Sequence, residues 1–252
     1  MDHSSTRLIV NADDYGFSPG VSAGILYAHQ NGILTSTTAM VNTEFSKQSL
    51  DEAKKYPNLG IGLHFVLDVG KPIASSVRSL TDHSGDFLKG KTLIESAKKQ
   101  EVKEELKEQL ELLYKWGVDV THIDSHHHMH LHIPGALEAV MEVAEMYNLP
   151  IRSFSDTKLT GNVISSDFFY YDFYGEENVS SQYLLEIFSK LEPGISEVMC
   201  HPAFMDLKLR RCSSYHFTRI KELDVLVDSR IKDGLLEHAI ELIHYGGLKN
   251  ER

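Results

Sequence analysis

The sequence predicts an α/β protein of one domain, a parallel sheet or barrel covered by helices, and three observations carry that expectation. Short runs rich in β-branched residues alternate with amphipathic stretches of helical period almost from end to end, the pattern of successive βα units. The 252 residues match the roughly 200–250 that one α/β barrel uses, and a chain of that size needs no disulfide or metal staple to stabilise its core. No internal repeat, low-complexity tract or shift in composition divides residues 1–252.

Taken in order, Arg7–Asn11 reads as a buried strand. Ser18-Pro19 offers an N-cap with proline at the first helical position, and Gly32 stops the helix they open. Thr35–Val41 is a strand rich in Thr and Val, Phe45–Tyr56 a polar helix and Leu59–Phe65 a third strand. From Lys71 to Lys91, Pro, Ser, Gly and Asp interrupt the pattern, which predicts an excursion loop over the surface. Leu93, Ala97, Val102, Leu106, Leu110 and Leu113 recur mostly three to five apart, so Leu93–Trp116 is expected to be one amphipathic helix stopped by Gly117. Val118–Ser125 resumes as strand, Pro134–Tyr147 as helix and Pro150–Phe154 as strand. Ser181–Leu191 is helical before Pro193-Gly194, and Glu197–His201 is a strand. A helix at Arg219–Val227 and a last strand at Glu241–Tyr245 complete the tail.

Charge and composition narrow the function classes. With 25 Lys and Arg against 36 Asp and Glu, the net charge of −11 opposes non-specific binding to nucleic acid or to an anionic membrane, both of which need cationic patches. No stretch approaches the roughly 18 apolar residues of a membrane span. Residues Met1 to Arg7 carry an early acid and lead only into Leu8-Ile9-Val10, too short for a signal-peptide core, so the cytoplasm is the expected compartment. Two cysteines, Cys200 and Cys212, make no disulfide framework. Fourteen histidines are the unusual feature, because imidazole is the commonest metal ligand and the usual proton carrier near neutral pH.

The chemistry-bearing residues fall at the C-terminal ends of the predicted strands, the edge where βα loops of a parallel fold converge. Asp13 and Asp14 follow the first strand. Adjacent residues of a strand point to opposite sides, so one carboxylate is free to ligate a metal while the other, kept ionised by the cation, accepts a proton. His64 ends the run Leu59-Gly60-Ile61-Gly62-Leu63, whose two glycines predict a close approach of backbone or ligand. Thr121–His132 holds six histidines; if the strand continues through them, His126 and His128 share one face and His127 takes the other, so three consecutive imidazoles cannot meet one ion. Arg152 sits in the fifth strand, and Pro202 fixes the backbone just after His201. Cys200 reads as a buried strand residue without a cation to activate it.

Five ordered segments carry a resemblance. Ile9-Val10-Asn11-Ala12-Asp13-Asp14-Tyr15-Gly16, Thr35-Ser36-Thr37-Thr38-Ala39-Met40-Val41-Asn42, Gly62-Leu63-His64-Phe65, Thr121-His122-Ile123-Asp124-Ser125-His126-His127-His128 and Val198-Met199-Cys200-His201-Pro202-Ala203-Phe204 resemble the YdjC-like carbohydrate deacetylases, and among them most nearly the chitooligosaccharide deacetylases. Leu223-Asp224-Val225-Leu226 also fits. The resemblance implies a distorted TIM-barrel-like fold and metal-dependent removal of the N-acetyl group from an N-acetylglucosamine unit of a short oligosaccharide, diacetylchitobiose or its 6-phosphate. It implies that Asp14, His64 and His126 hold one divalent ion, magnesium or zinc. Asp13 would be the general base and His201 the general acid, and the protein a homodimer. Tyr15 stands where relatives often have Phe.

Elementary chemistry agrees with that implication. Amide hydrolysis needs a nucleophilic water, a polarised carbonyl and a protonated leaving amine; a metal supplies the first two and an acid the third. One carboxylate and two imidazoles leave positions for water and substrate, and mixed O and N ligands suit zinc, manganese or cobalt better than magnesium. Arg152 is expected to orient Asp13 and Asp124 to orient an imidazole, with His128 and Tyr15 either supporting the ligands or touching the substrate. The competing readings are another metal-dependent hydrolase on the same barrel and a non-catalytic metal-binding protein that uses the histidine run.

Overall fold

The computed structural model describes residues 5–250, and of Asn250 the backbone alone; Met1–Ser4, part of the segment read against a signal peptide, lie outside the described residues. The chain opens with β1 (Thr6–Tyr15), α1 (Pro19–Asn31), β2 (Ser36–Ala39), α2 (Ser46–Ala53) and β3 (Gly60–Phe65). After a surface excursion come α3 (Gly90–Ser96), α4 (Lys99–Lys115), β4 (Val120–Ser125), α5 (Met129–His132) and α6 (Ala136–Tyr147). The remainder is β5 (Phe168–Tyr170), α7 (Ser181–Lys190), β6 (Gly194–Cys200), α8 (Leu207–Cys212), α9 (Phe217–Leu226), α10 (Ser229–Glu237) and β7 (Ile240–Leu242).

All seven strands pair in parallel, six of them in the order β4-β3-β2-β1-β6-β5 and β7 against β1. Strand β1 is central and shares one edge between two partners, β7 along Thr6–Leu8 and β2 beyond Asn11, while β6 runs along the other edge. Ile151 joins β4 by one bridge. The result is a distorted, incompletely closed (β/α) barrel, as the alternating pattern and the resemblance led us to expect. Leu8, Val10 and Ala12 pack into the main core under the helices, whereas Ile9 belongs to a second cluster with Ile195, Tyr245 and Leu248. That alternation places Asn11 and Asp13, two and four residues after Ile9, on the inner face.

Local rules account for most boundaries. The Ser18 side chain accepts from Val21 N–H at 3.2 Å with Pro19 at the start of α1, and Gly32 N–H closes the other end on Ala28 O at 2.9 Å. A Cβ on Gly24 would lie 2.5 Å from Ala203 Cα, so α1 sits directly against the segment that follows His201. A Cβ on Gly62 would meet the His122 ring at 2.5 Å, and the close approach read from the glycines of β3 is therefore that of an imidazole.

Three expectations are corrected. The helix read over Leu93–Trp116 is two helices, broken at Ala97 with ψ 127°, where Lys98 N–H turns to Ser79 Oγ at 3.1 Å; the five-residue step from Ala97 to Val102 marks the break. Pro150–Phe154 forms no sheet strand, because after Arg152 N–H bonds Ile123 O at 3.0 Å the chain departs, and the short Phe168–Tyr170 takes the place beside β6 instead. The histidine run continues no strand. It turns at His126 into a single helical turn with His127 at φ 51° and His128 at φ 52°, and the side-to-side alternation expected there is replaced by three rings that line one cleft.

Candidate active site

The site is built on an irregularity. Between Ala12 and Tyr15 the register of β1 on β2 shifts, and Asp14 adopts φ 69°. This bulge cancels the alternation of the strand, so Asp13 and Asp14, expected on opposite sides, both line one cleft of about 510 Å³ at the C-terminal mouth of the barrel. The same shift turns Tyr15 outward. Its hydroxyl donates to Ser49 O at 2.6 Å and its ring is fully buried toward α2 and lines no part of the cleft, which corrects the substrate contact offered as one of two parts for Tyr15.

Asp14 Oδ1 lies 3.1 Å from His64 Nε2 and 2.9 Å from His126 Nδ1, and those two nitrogens are 3.3 Å apart. Three donors thus converge from β1, β3 and the turn after β4. His64 Nδ1 donates to Asp124 Oδ1 at 2.7 Å, which aims Nε2 at the other two; Thr38 Oγ1 donates to Asp124 Oδ2 at 2.9 Å and holds that carboxylate. Burial would lower the basicity of His64, yet the Asp124, Asp14 and Asp13 carboxylates outweigh it and carry the ring up to about 10. A spot where an imidazole is driven to keep a positive charge is a spot that attracts a cation. The donor set, one carboxylate oxygen and two imidazole nitrogens within 4.8 Å of one another, fits a divalent ion.

Beside it, Asp13 is clamped. Arg152 Nη1 and Nη2 donate to its two oxygens at 2.7 Å each, and Asn11 Nδ2 donates to Oδ1 at 3.0 Å. Burial pushes the Asp13 carboxyl up, but the Arg152 guanidinium reverses this and holds it far below the usual carboxylate range. His201 Nε2 stands 3.9 Å from Asp13 Oδ2. Burial first, and then the nearby Arg219 charge, bring His201 down to about 3. Arg152 is itself fully buried among Asp13, Asp124 at 2.8 Å and Glu197 at 2.7 Å.

Two neighbours escaped the reading of the sequence, and both lie on α9. Arg219 Nη2 donates to Asp14 Oδ2 at 2.6 Å and Nε donates to Tyr215 O at 2.8 Å. Glu222 accepts the backbone N–H of His201 and, at 2.5 Å, the hydroxyl of Tyr215. In sequence these are ordinary residues of an amphipathic helix; only its packing across the mouth, 205 positions from Asp14, gives them a part. Within the histidine run, His126 faces Asp14, His127 Nδ1 pairs with Asp68 Oδ2 at 2.6 Å, and His128 lines the cleft against Phe154 at 5.7 Å and Phe169 at 5.9 Å. Cys200 is buried with its thiol pushed up by burial, and Cys212 is a free thiol at the rim.

With this geometry in view, comparison with known proteins is direct. A carbohydrate deacetylase of Geobacillus stearothermophilus is 40% identical over 238 residues, 94% of this chain and 96% of its own. A chitooligosaccharide deacetylase of Proteus mirabilis is 39% identical across 96% of this chain and 98% of its own. An Enterococcus faecalis protein named for cellobiose-phosphate cleavage superposes with TM-score 0.92 at 33% identity, covering 97% of this chain and 99% of that one. A family 4 carbohydrate esterase of Streptomyces lividans, solved with acetate, shares the fold at TM-score 0.51 and 14% identity. The model of the YdjC-like protein family matches residues 7–237, and the chain belongs to that family.

Proposed function

We propose that this protein is a metal-dependent carbohydrate deacetylase that hydrolyses the N-acetyl group of an N-acetylglucosamine unit in a short chitooligosaccharide, diacetylchitobiose or its 6-phosphate. The observation that carries the reading is the meeting, in one cleft, of a three-donor cluster (Asp14, His64, His126) with a clamped carboxylate (Asp13) and an imidazole (His201). The names of the relatives in Geobacillus and Proteus support it. In this reading the enzyme acts in the cytoplasm as a homodimer.

Asp14, His64 and His126 would hold one divalent ion, magnesium or zinc, which when bound acidifies a water and polarises the acetyl carbonyl. Asp13 is ionised at neutral pH and takes the proton from the attacking water, while Arg152 fixes the direction of its oxygens. His201, brought down to about 3 by burial and Arg219, carries no proton at neutral pH. It receives the one that Asp13 has collected, by way of a water spanning the 3.9 Å between them, and delivers it to the sugar nitrogen as the C–N bond breaks. The hydroxide part of the water leaves on acetate and its proton on the amine, so the reaction closes without another donor.

Acetate release from diacetylchitobiose, measured with and without a chelator and beside Asp13→Asn, tests the proposal. Release is expected from the wild type alone. Undiminished release in the chelated enzyme or in the variant would overturn the mechanism.

A further inference from the structure

Two large aromatic side chains stand open at the cleft, Tyr171 at 51% exposure and Tyr174 at 45%. Each is backed by a second aromatic layer. The Tyr174 ring stacks on Tyr215 with centroids 4.1 Å apart and planes 19° from parallel, and it meets the His201 ring at 5.5 Å. Tyr215 is immobilised in turn, because its hydroxyl donates to Glu222 and accepts from Gly175 N–H at 3.1 Å. Tyr171 packs edge-on to Phe154 at 5.2 Å and lies 5.7 Å from Phe169, a ring that covers the Arg152 guanidinium at 5.0 Å. The wall therefore runs from the His201 end of the cleft, at Tyr174, to the His128 end, at Tyr171.

A tyrosine fixed from behind and bare in front presents a rigid apolar face with little side-chain entropy left to lose on binding. A pyranose ring carries a matching patch of axial C–H bonds and needs such a face, since its hydroxyls alone gain little over water. Building on the deacetylase reading above, we infer that Tyr171 and Tyr174 form a two-ring stacking platform for the sugar chain. The acetylated unit lies on Tyr174, where its nitrogen is next to His201, and the adjoining unit lies on Tyr171. The protein then prefers sugars of two or more units over the single N-acetylglucosamine, which reaches Tyr174 alone.

Steady-state acetate release from N-acetylglucosamine and from diacetylchitobiose tests the assignment with Tyr171→Ala, Tyr171→Phe, Tyr174→Ala and Tyr174→Phe. Tyr171→Ala is expected to raise KM for the disaccharide about tenfold relative to that for the monosaccharide, the size of loss usual for truncating a buried aromatic contact. Tyr174→Ala is expected to raise both KM values together, with kcat falling far less than kcat/KM. Both Phe variants keep wild-type KM, because the ring face and not the hydroxyl makes the contact. Alanine variants with unchanged KM, or Phe variants as impaired as Ala, would overturn the platform. Calorimetric titration of diacetylchitobiose into Asp13→Asn, alone and with each alanine, separates this idea from the reading beneath it. No acetate release by the wild type sinks the deacetylase, whereas the platform stands or falls on whether the alanines weaken that binding.

Discussion

Two layers of polar side chains lie stacked inside the barrel, and they differ in how completely they are partnered. In the lower layer Arg152 gives Nε to Glu197, Nη2 to Glu197 and Asp13, and Nη1 to Asp13; His122 Nε2 bonds Asn11 Oδ1 at 3.1 Å and its ring stacks on Tyr245 at 3.8 Å; the Tyr245 hydroxyl donates to Glu197 Oε2 at 2.5 Å. In the upper layer, at the mouth, His128 Nδ1, His201 Nδ1 and Arg219 Nη1 are buried without a hydrogen-bond partner. A satisfied buried network positions, and an unsatisfied one is where a ligand is received, because leaving such groups unpaired costs roughly 1–3 kcal/mol each. The lower layer is thus the support of the upper one, and substitutions in the two should fail in different ways.

The largest expected effect is on chemistry at the mouth. Asp13→Asn should cut kcat for acetate release by about 10²–10⁴-fold, the usual contribution of a general base, while disaccharide binding by calorimetry persists. Loss of binding in proportion to activity would mean that Asp13 holds the sugar and takes no proton.

Below the mouth, Arg152→Met should chiefly destabilise the fold. It strands Asp13, Asp124 and Glu197 without their shared cation, and breaking a buried ion cluster costs about 3–5 kcal/mol, a loss readable as a lowered urea midpoint. Unchanged stability with lost activity would move Arg152 from the supporting layer to the reacting one. Asp124→Asn lies between the layers. It should weaken divalent-metal binding by about 10–100-fold through misdirection of His64, measured as bound ion per chain against free metal, with the urea midpoint less affected than in Arg152→Met.

How much of this was legible in the sequence follows the same division. Asp13, His64, Asp124 and His201 announced themselves because they end strands of a parallel fold, where topology alone brings them to one rim. Arg152 was found on the same ground although its strand is only a bridge. Asp13 and Asp14 were assigned to opposite sides because alternation was carried through residue 14; Asp tolerates a positive φ better than most residues, but that tolerance alone does not announce the φ 69° that Asp14 takes. The bulge is imposed by tertiary contacts, among them Arg219 and the two imidazoles on Asp14. Arg219 and Glu222 were invisible for a related reason. A charged residue on a surface-like helix has the same local pattern whether water or a buried carboxylate faces it. The strand Phe168–Tyr170 was hidden because three residues are too few for period counting, and the break at Ala97 left only the five-residue step to Val102 as its mark.

A smaller, pH-dependent effect comes from the support of the rim loop. Burial pushes the Glu105 carboxyl up to about 7 from 4.5, even as it accepts from Ile73 N–H at 2.9 Å and Ala74 N–H at 2.8 Å in the segment beyond Asp68. The folded state therefore holds a proton there that the unfolded chain has released between these two values. Folding draws full benefit from Glu105 below about pH 4.5 and loses it as pH rises through 7. Glu105→Gln should flatten that part of the stability profile by thermal unfolding. An unchanged slope would place its origin in Glu222, which burial also raises to about 7.

The smallest effect should appear at His127, whose neighbour in sequence, His126, has a different partner and a far larger part. His126 offers its Nδ1 to the cluster on Asp14, so His126→Ala should abolish stoichiometric metal binding. His127 is 63% exposed and pairs with Asp68 at the rim. An exposed pair of this kind contributes below about 1 kcal/mol, so His127→Ala should leave the metal count at one per chain and the unfolding midpoint almost in place. The positive φ of His127 and His128 gives the two neighbours different partners: both rings line the cleft, 3.9 Å apart, but His126 turns its Nδ1 to Asp14 and His127 its Nδ1 to Asp68. If His127→Ala instead removed the ion, that turn would be presenting both imidazoles to one metal, and the mouth would hold a ligand that its hydrogen bonds assign to the rim.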